Sequence, residues 1–546
     1  MAIWLLVDPR TPDLAAQVYR VGLFDRFGFA VWDEHWYAGH ALPGYSLLFP
    51  PLASLLGLRV VAALSVLVSA ALFERCSRAA YGPSARWGAA WFAVAAAGDI
   101  WIGRLTFALG VTFALAAVLA LVSGHHRWAG LLAVLSAAAS PVAGVLLALA
   151  ALTHALARRS PRALLVLAVP VVAVVVPLSL LFGEGGFEPF PATSFAATVL
   201  VTLLFLWALP PQQRLLRTGG VVYLLACLLA LAIHTPMGSN IERYAVLLAG
   251  PLLLCALAGR CRPLDTNGVR RAADGVPPGV DGVRRAADGV PPGVGATANA
   301  TGGRPPWRIS GGRSAPALLL VLLVFAVYAG WGPVRETVAV AGSESTSASY
   351  YAPLLGFLGR HGGSLERIEV PLTRSHWEAA LLAPSVSLAR GWEKQLDIRF
   401  DDVLLAPGLT ATGYYRWLHE EAVSYVALPD TTLDPSSAQE GRLIRGGLPF
   451  LRVALTSRHW TVYAVLDPTP LLQGPGRLTS LGHDSFALRA AAPGRFLVRV
   501  RYTRFWTITG GGGHVGEAPG GWTYVTARAS GQVRVAARFS LDRALG

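Results

Sequence analysis

The chain has 546 residues, of which 53% are hydrophobic and only 14% are charged. A soluble domain carries about 25% charged residues, so the composition excludes a purely soluble protein and indicates a membrane protein with a soluble appendage. The formal net charge of +14 comes almost entirely from arginine. Most of these arginines lie in short loops between apolar runs, which indicates membrane topology rather than nucleic-acid binding. All four cysteines precede residue 262, so disulfides are not predicted to stabilise the C-terminal region.

A series of apolar runs is predicted to supply the membrane helices. The short start MAIWLLV is too brief for a spanning helix or a signal peptide, so we expect it to be the end of a helix that begins upstream. The run at 128–157 holds Ser140-Pro141 at its middle and is predicted to form two short helices that meet at a turn. The runs lie at about 47–73, 87–98, 105–123, 128–157, 163–182, 194–209, 220–233, 244–258 and 315–332.

Arginines predict the orientation of these helices. They concentrate in alternate loops, which the positive-inside rule places on the cytoplasmic side. The opposite loops, at 8–46, around Asp99, at 183–193 and at 234–243, are then exterior and contain most of the acidic and aromatic loop residues. The arginines of the predicted cytoplasmic side are Arg75, Arg78, Arg86, Arg127, Arg158, Arg159, Arg162, Arg214, Arg217, Arg260 and Arg262.

The rest of the chain divides by composition. Residues 261–314 are rich in Gly, Pro and Arg and repeat the unit GVRRAADGVPPGV, so they are predicted to be a disordered cytoplasmic linker. A last transmembrane helix at 315–333 leads to an exterior region, mixed α/β at 334–466 and a β-sandwich at 467–546. The predicted fold class is therefore a polytopic α-helical membrane domain at 1–260 followed by an extracytoplasmic α/β plus β-sandwich domain.

Asp13 is the first candidate for chemistry in the exterior loop at 8–46. It lies in TPDLAAQVYR, which predicts a short helix along the membrane surface. A carboxylate at the interface can accept a proton from an attacking hydroxyl group. The alternative is structural, because Thr11-Pro12-Asp13 before an Ala-rich turn is also a good helix cap.

Aromatic side chains follow in the same loop. Flat rings can stack on a sugar, but an aromatic belt at the membrane interface is the alternative role. The side chains concerned are Trp32, Trp36, Tyr37 and His40.

Two further exterior segments contain charged candidates. Asp99 and Arg104 share the second exterior loop, where the acid is a candidate substrate ligand and an ion pair between the two is the alternative. Arg243 lies at the start of a membrane helix, a position that suits a phosphate group. It could instead pair with Glu242 or with lipid headgroups.

In the exterior region, His376-Trp377-Glu378 and Arg390-Gly391-Trp392-Glu393 are polar-aromatic clusters that could face an acceptor or simply be surface or core residues. The sequence lacks HExxH, CxxC and paired-His metal motifs, and it lacks the nucleotide loops GxGxxG and GxxxxGK[ST]. We therefore expect an activated lipid donor, rather than ATP, to supply the energy for any transfer.

The layout of the first loop resembles the GT-C superfamily of membrane glycosyltransferases. In these enzymes a first exterior loop contains an essential acid followed by a short amphipathic helix, and in several a Pro-Pro-Leu leads into the next helix, as Pro50-Pro51-Leu52 does here. The resemblance implies that Asp13 is the catalytic base, with Asp8 the second choice. Many members have a paired Asp-Glu where this chain has Asp13-Leu14.

The resemblance also implies the partners. A polyprenyl-phosphate sugar would be the donor, its phosphate held by Arg243, Asn240 and Arg104. Substrate contacts would come from Asp99, the four aromatic-loop residues, His376 and Trp392. A cell-envelope glycan, lipid or protein would be the acceptor, and a divalent cation (Mg or Mn) is a possible cofactor.

Place and function follow from this interpretation. We expect a multi-pass protein of the plasma membrane with an extracytoplasmic C-terminal domain, in contact with membrane lipids and not with nucleic acid. The richness in Ala, Gly and Arg is typical of a GC-rich, actinobacterial-type genome. A transporter or flippase of a lipid-linked intermediate is the alternative function, although its charges would lie within helices near the membrane midplane. A non-catalytic membrane scaffold is the third.

Overall fold

The computed structural model describes residues 1–259 and 314–545 and confirms the predicted fold class. Among the described residues, seven helices are long and apolar enough to cross a membrane. They are α4 (Leu58–Tyr81), α6 (Leu105–Val122), α8 (Pro141–Arg158), α9 (Leu164–Leu181), α11 (Arg214–Ala232), α12 (Gly238–Ala258) and α13 (Ala315–Val340). The other helices of this part are α1 (Ala2–Val7), α2 (Pro12–Phe27), α3 (Phe49–Leu56), α5 (Arg86–Ile102), α7 (His126–Ala139) and α10 (Ala192–Ala208).

The predicted break in the run at 128–157 is confirmed. Ser140 has an extended backbone between α7 and α8, and its hydroxyl oxygen accepts a hydrogen bond from the N–H of Ala143. The turn also meets the first loop, since the Ser46 hydroxyl donates to the carbonyl of Ala139 over 2.7 Å. The run at 47–73 is broken as well, which the sequence analysis did not predict, because Gly57 adopts a φ of +88° between α3 and α4.

Four of the arginines assigned to one side of the membrane lie together at one end of the helices. Arg158, Arg159, Arg214 and Arg217 line a single recess. The predicted linker at 261–314 and its tandem repeat lie outside the described residues except for residue 314. After it, α13 continues to Val340, beyond the predicted end of the last membrane helix at 333, and its Thr337 hydroxyl accepts a hydrogen bond from Trp101 on α5 over 2.7 Å.

The region after α13 folds into two units, which we call the first and second exterior units after the topology that the arginines predict. The first exterior unit is a five-stranded mixed sheet. Its strand order is β4-β3-β5-β7-β6, with β3 parallel to β4 and β5 and the other pairs antiparallel. The strands are β3 (Arg367–Glu369), β4 (Ser387–Leu388), β5 (Val423–Pro429), β6 (Leu451–Thr456) and β7 (Trp460–Val465). The accompanying helices are α14 (Ala348–Arg360), α15 (Glu378–Leu381), α16 (Lys394–Phe400), α17 (Asp402–Leu405), α18 (Ala411–Glu420) and α19 (Ala438–Arg445).

The second exterior unit consists of two four-stranded antiparallel sheets, in the orders β12-β15-β10-β9 and β13-β14-β11-β8. Inward-facing side chains such as Phe486, Phe496 and Val535 pack in one shared core, as alternation along half-buried strands predicts. The strands are β8 (Leu472–Gln473), β9 (Gly476–Leu481), β10 (Ser485–Ala490), β11 (Gly494–Arg501), β12 (Trp506–Gly510), β13 (Gly513–Ala518), β14 (Trp522–Ala527) and β15 (Gly531–Ala537). A short helix, α20 (Leu541–Leu545), ends the described chain.

The loop at 8–46 joins these units. It contains α2 and a two-residue ribbon of β1 (Trp32–Asp33) and β2 (His40–Ala41). Glu34 pairs with Arg367 of β3 at 2.8 Å, with both side chains fully buried. Asp33 accepts hydrogen bonds from Tyr19 and from His483 of the second unit, each over 2.8 Å. Burial raises the pKa of Asp33, but the His483 hydrogen bond and the nearby histidines outweigh it and hold that pKa at about 2.

A cluster of four buried carboxylates surrounds Arg390 in the first exterior unit. Their oxygens lie 3.5 to 4.0 Å from its guanidinium nitrogens, and each side chain is at most 1% exposed. One positive charge cannot neutralise four negative ones, so part of the cluster must hold protons. Burial, together with neighbouring carboxylates, raises the pKa of two members well above their ordinary values, against the effect of Arg390. The members are Glu369, Asp397, Asp401 and Glu440.

This cluster predicts a loss of stability in alkaline solution. Folding raises the pKa of Glu369. The contribution of this side chain to the free energy of unfolding is therefore fully present below its unfolded pKa of about 4.3 and is lost as the pH rises through its folded pKa. We expect Glu369→Gln to be more stable than wild type at pH 8 and to lose that advantage near pH 4.5. Thermal unfolding of the purified full chain at both pH values measures this, with the exposed Glu517→Gln as control. Equal shifts at both pH values would contradict the prediction.

Candidate active site

A cavity of about 720 Å³ lies between the membrane helices and the first exterior unit, and we call it the site cavity. Its charged walls come from both parts of the chain, whereas the part between the membrane helices is lined by apolar side chains. The membrane side contributes side chains from α2, the α5–α6 turn, α10, α12 and α13. The charged and aromatic lining residues are Asp13, Arg104, Glu242, Tyr328, Trp331, Arg335, Glu336, Arg374, His376, Trp392 and Asp434.

Asp13 is held at this cavity by close packing of the first turn of α2. The Thr11 hydroxyl donates to the carbonyls of Trp101 and Ile102, over 3.0 and 2.8 Å, instead of capping α2. Gly103 has a φ of +103°, and a Cβ atom there would lie 2.3 Å from the nitrogen of Leu14. The α5–α6 turn therefore touches the backbone of α2 directly, which only glycine permits.

Arg104 connects Asp13 to Asp99. Its Nε lies 3.7 Å from Asp13 Oδ2, and its Nη1 lies 3.5 Å from Asp99 Oδ1. The Asp13 carboxylate is 35% exposed, whereas that of Asp99 is only 8% exposed. Asp99 thus forms the ion pair named above as the alternative and does not line the site cavity, and its contact with a substrate stays a prediction. Among the described residues, Arg104 Nε is buried and has no hydrogen-bond partner, whereas the side chain as a whole is 19% exposed.

The start of α12 places Glu242, rather than Arg243, in the cavity lining. Arg243 donates to the side-chain oxygen of Asn240 over 2.5 Å and lies over the ring of Phe107. The structure therefore pairs Arg243 with Asn240 and not with Glu242. Its guanidinium is near enough to Asp99 and Arg104 to interact electrostatically with both, so it adds positive potential behind the cavity wall.

The exterior wall is a polar group built around His376. His376 has a φ of +55°, which is uncommon for a non-glycine residue. Its ring stacks on Trp392 with centroids 3.5 Å apart, and its Nε2 lies 3.4 Å from Asp434 Oδ2. Burial opposes ionisation of Asp434, but hydrogen bonds from His376 and Ser436 hold its pKa well below the usual range. The wall is therefore charged and fixed in position before any ligand binds.

Sequence reasoning missed Arg374, Asp434 and Glu336 in this cavity. Asp434 precedes Pro-Ser-Ser and accepts hydrogen bonds from Ser436, so its local pattern is that of a turn and carries no functional signal. Arg374 comes two residues before His376, so it stands next to the cluster His376-Trp377-Glu378 that the sequence already offered as a candidate. Glu336 lies in the part of α13 that extends past the predicted membrane helix.

The other predicted site residues lie elsewhere. Asp8 ends α1 and pairs with Arg59. The four loop aromatics, predicted either to stack on a sugar or to form an interfacial belt, do neither, because all are at most 7% exposed. Trp36 donates to the carbonyl of Ala379, and Tyr37 donates to that of Glu393, each over 3.0 Å. The correction applies to Trp32, Trp36 and Tyr37, which pack in the cores that the loop shares with the exterior units. It applies also to His40, whose ring stacks on Trp36 and whose Nδ1 lies 3.1 Å from the carbonyl oxygen of Asp33.

The described residues bring together no group of three or more His, Cys, Asp or Glu side chains arranged to hold a metal ion. The divalent cation considered above therefore stays a prediction, and the mechanism below uses only side chains of the described residues.

Comparison with solved structures finds similarity over most of the chain. No family model matches the sequence, and no curated protein matches it. A solved structure of the arabinofuranosyltransferase AftD from mycobacteria, in a mutant form, is similar at 17% identity and a TM-score of 0.45. The match covers 86% of this chain and 40% of that one, so the chain spans about two fifths of the length of AftD.

Trp36 of the first loop and Trp392 of the first exterior unit are predicted to contribute differently to stability. Trp36→Ala should lower the free energy of unfolding by about 3–5 kcal/mol, because a fully buried ring is removed. Trp392 is only half-buried, so Trp392→Ala should cost clearly less. Thermal unfolding of both purified variants measures the difference. If Trp392→Ala is as destabilising as Trp36→Ala, Trp392 belongs to the core and not to the site.

Proposed function

We propose that the protein is a membrane glycosyltransferase that takes a sugar from a polyprenyl-phosphate donor and transfers it to a cell-envelope acceptor on the exterior face. One observation supports this above the others. A single cavity combines the partly exposed Asp13 carboxylate, the partly exposed Arg104 guanidinium, and an apolar wall that continues between the membrane helices. A base, a cation and a hydrocarbon surface are what transfer from a lipid phosphate requires.

The apolar wall fits the lipid part of such a donor. It is formed by side chains of α10, α12 and α13, all below the charged residues of the cavity: Ala197, Leu200, Val201, Val246, Val324 and Val327. A polyprenyl chain can lie against this surface while its phosphate reaches Arg104. The partly exposed guanidinium offers its N–H groups to a phosphate oxygen, and charge-assisted hydrogen bonds of this kind are among the stronger ones in proteins.

The chemistry is an inverting displacement. Asp13 accepts the proton of an acceptor hydroxyl, and the resulting oxygen attacks the anomeric carbon from the face opposite the phosphate. The bond between that carbon and the phosphate oxygen breaks, and the phosphate leaves with the electron pair. Arg104, supported by the positive potential of Arg243, stabilises the negative charge that develops on it. No nucleotide is needed, since the donor already contains an activated sugar.

The exterior wall supplies the acceptor side of this proposal. Arg374, His376 and Asp434 present fixed donors and acceptors toward the cavity, opposite Asp13 and Arg104. Sugar hydroxyl groups are bound by such paired donors and acceptors. We therefore place the donor at the membrane side and the acceptor at the exterior unit, with the reacting carbon between them near Asp13.

Sugar transfer in proteoliposomes tests the proposal. We expect Asp13→Asn to reduce transfer of a radiolabelled sugar from polyprenyl-phosphate donors by about 10²–10⁴-fold, the usual contribution of a general base. Asp8→Asn is the matched control, because it removes a carboxylate from the same loop outside the site cavity, and it should retain activity within about twofold of wild type.

Three outcomes would contradict the proposal. The first is no transfer by wild type from any polyprenyl-phosphate sugar supplied. The second is full activity of a normally folded Asp13→Asn variant. The third is movement of the intact donor across the bilayer without transfer, which would assign the protein to lipid-linked transport instead.

A further inference from the structure

A second cavity lies inside the membrane part, at the end of the helices where the arginines collect. We call it the arginine-end cavity; its volume is about 570 Å³. Side chains of α6, α8, α10, α11 and α12 form its walls, and most of them are apolar: Val118, Leu121, Val122, Ala150, Leu215, Leu216, Leu248 and Leu252. A hollow of this size with hydrocarbon walls inside a membrane domain suits an acyl chain better than water.

The opening of this cavity is cationic. Arg158 and Arg162 line it, and both are exposed. His126 lies at the same opening, and His154 lines the cavity one helical turn before Arg158. The Nδ1 of His154 is buried and has no hydrogen-bond partner among the described residues. The cavity thus combines apolar walls with a positively charged opening, and this distribution matches an amphiphile with a negative head.

We propose that the arginine-end cavity binds one anionic membrane phospholipid, with an acyl chain between the helices and the phosphate at Arg158 and Arg162. The charge of the opening selects an anionic headgroup over a zwitterionic one, since basic pockets between membrane helices attract anionic lipid. By the positive-inside rule the lipid belongs to the cytoplasmic leaflet.

This site is separate from the site cavity but shares two helices with it. Val201 and Val246 face the site cavity, whereas their neighbours Thr202 and Ala245 line the arginine-end cavity. Helices α10 and α12 therefore form the partition between the two spaces. A lipid that fills one side holds in place the helix that carries Glu242 on the other. The inference goes beyond the proposed function, and its binding test does not depend on catalysis.

The test is lipid retention by the full chain. After delipidation, wild type is incubated with phosphatidylglycerol or phosphatidylcholine, and bound lipid is counted by native mass spectrometry. We expect one phosphatidylglycerol per chain and an affinity lower by about thirtyfold in Arg158→Gln/Arg162→Gln, given the usual contribution of two basic residues near an anionic lipid. Arg75→Gln/Arg78→Gln removes the same charge from the same predicted side of the membrane, outside both the cavity and the recess that contains Arg158, and should leave the affinity unchanged.

A second variant tests the apolar part. Ala150→Trp should fill the cavity and abolish retention while the opening keeps its charge. The proposal is overturned if the control pair weakens binding as much as the test pair, if phosphatidylcholine is retained equally well, or if Ala150→Trp still binds. It is also overturned if a polyprenyl phosphate competes fully with phosphatidylglycerol, or if wild type retains no lipid.

Discussion

The first exterior loop is buried between the membrane helices and the two exterior units, and the rest of the structure depends on this burial. Glu34 pairs with Arg367 in a fully buried position, and Asp33 joins Tyr19 to His483. Removing one partner of a buried ion pair leaves an uncompensated charge and costs about 3–5 kcal/mol. The loop therefore cannot separate from the exterior units without a large loss of stability. This attachment adds to the packing of α2 on the α5–α6 turn, which positions Asp13.

Much of the fold was predictable because membrane helices carry a strong local signal. Runs of apolar residues bounded by arginines gave the helix positions, and Ser140-Pro141 gave the break between α7 and α8. The turn at Gly57 was hidden, since a glycine inside an apolar run does not by itself specify a φ of +88°. Alternation in the last eighty residues indicated strands, but strand order depends on pairing between distant segments, and no local pattern contains it.

The site could be predicted only in part, for a related reason. Asp13, Arg104, His376 and Trp392 were all candidates, and the structure brings the four to one cavity. The loop aromatics were misassigned because a tryptophan near a membrane is equally suited to a sugar, to headgroups or to a protein interface, and the choice depends on what covers it. Here Ala379 and Glu393, more than three hundred residues away, cover Trp36 and Tyr37. Sequence analysis has no access to that proximity.

Helix α13 connects the membrane part of the chain to the first exterior unit. It is a single helix from Ala315 to Val340, just before the first exterior unit, and its Thr337 hydroxyl accepts a hydrogen bond from Trp101 on α5. Along this length it also lines the site cavity, with Val324 at one level and Glu336 three turns above. Pro333 lies inside the part of this helix that lines the cavity, and a proline there removes one backbone hydrogen bond. We therefore expect α13 to bend at this turn, and such a bend would change the width of the gap beside α10 through which a lipid would enter.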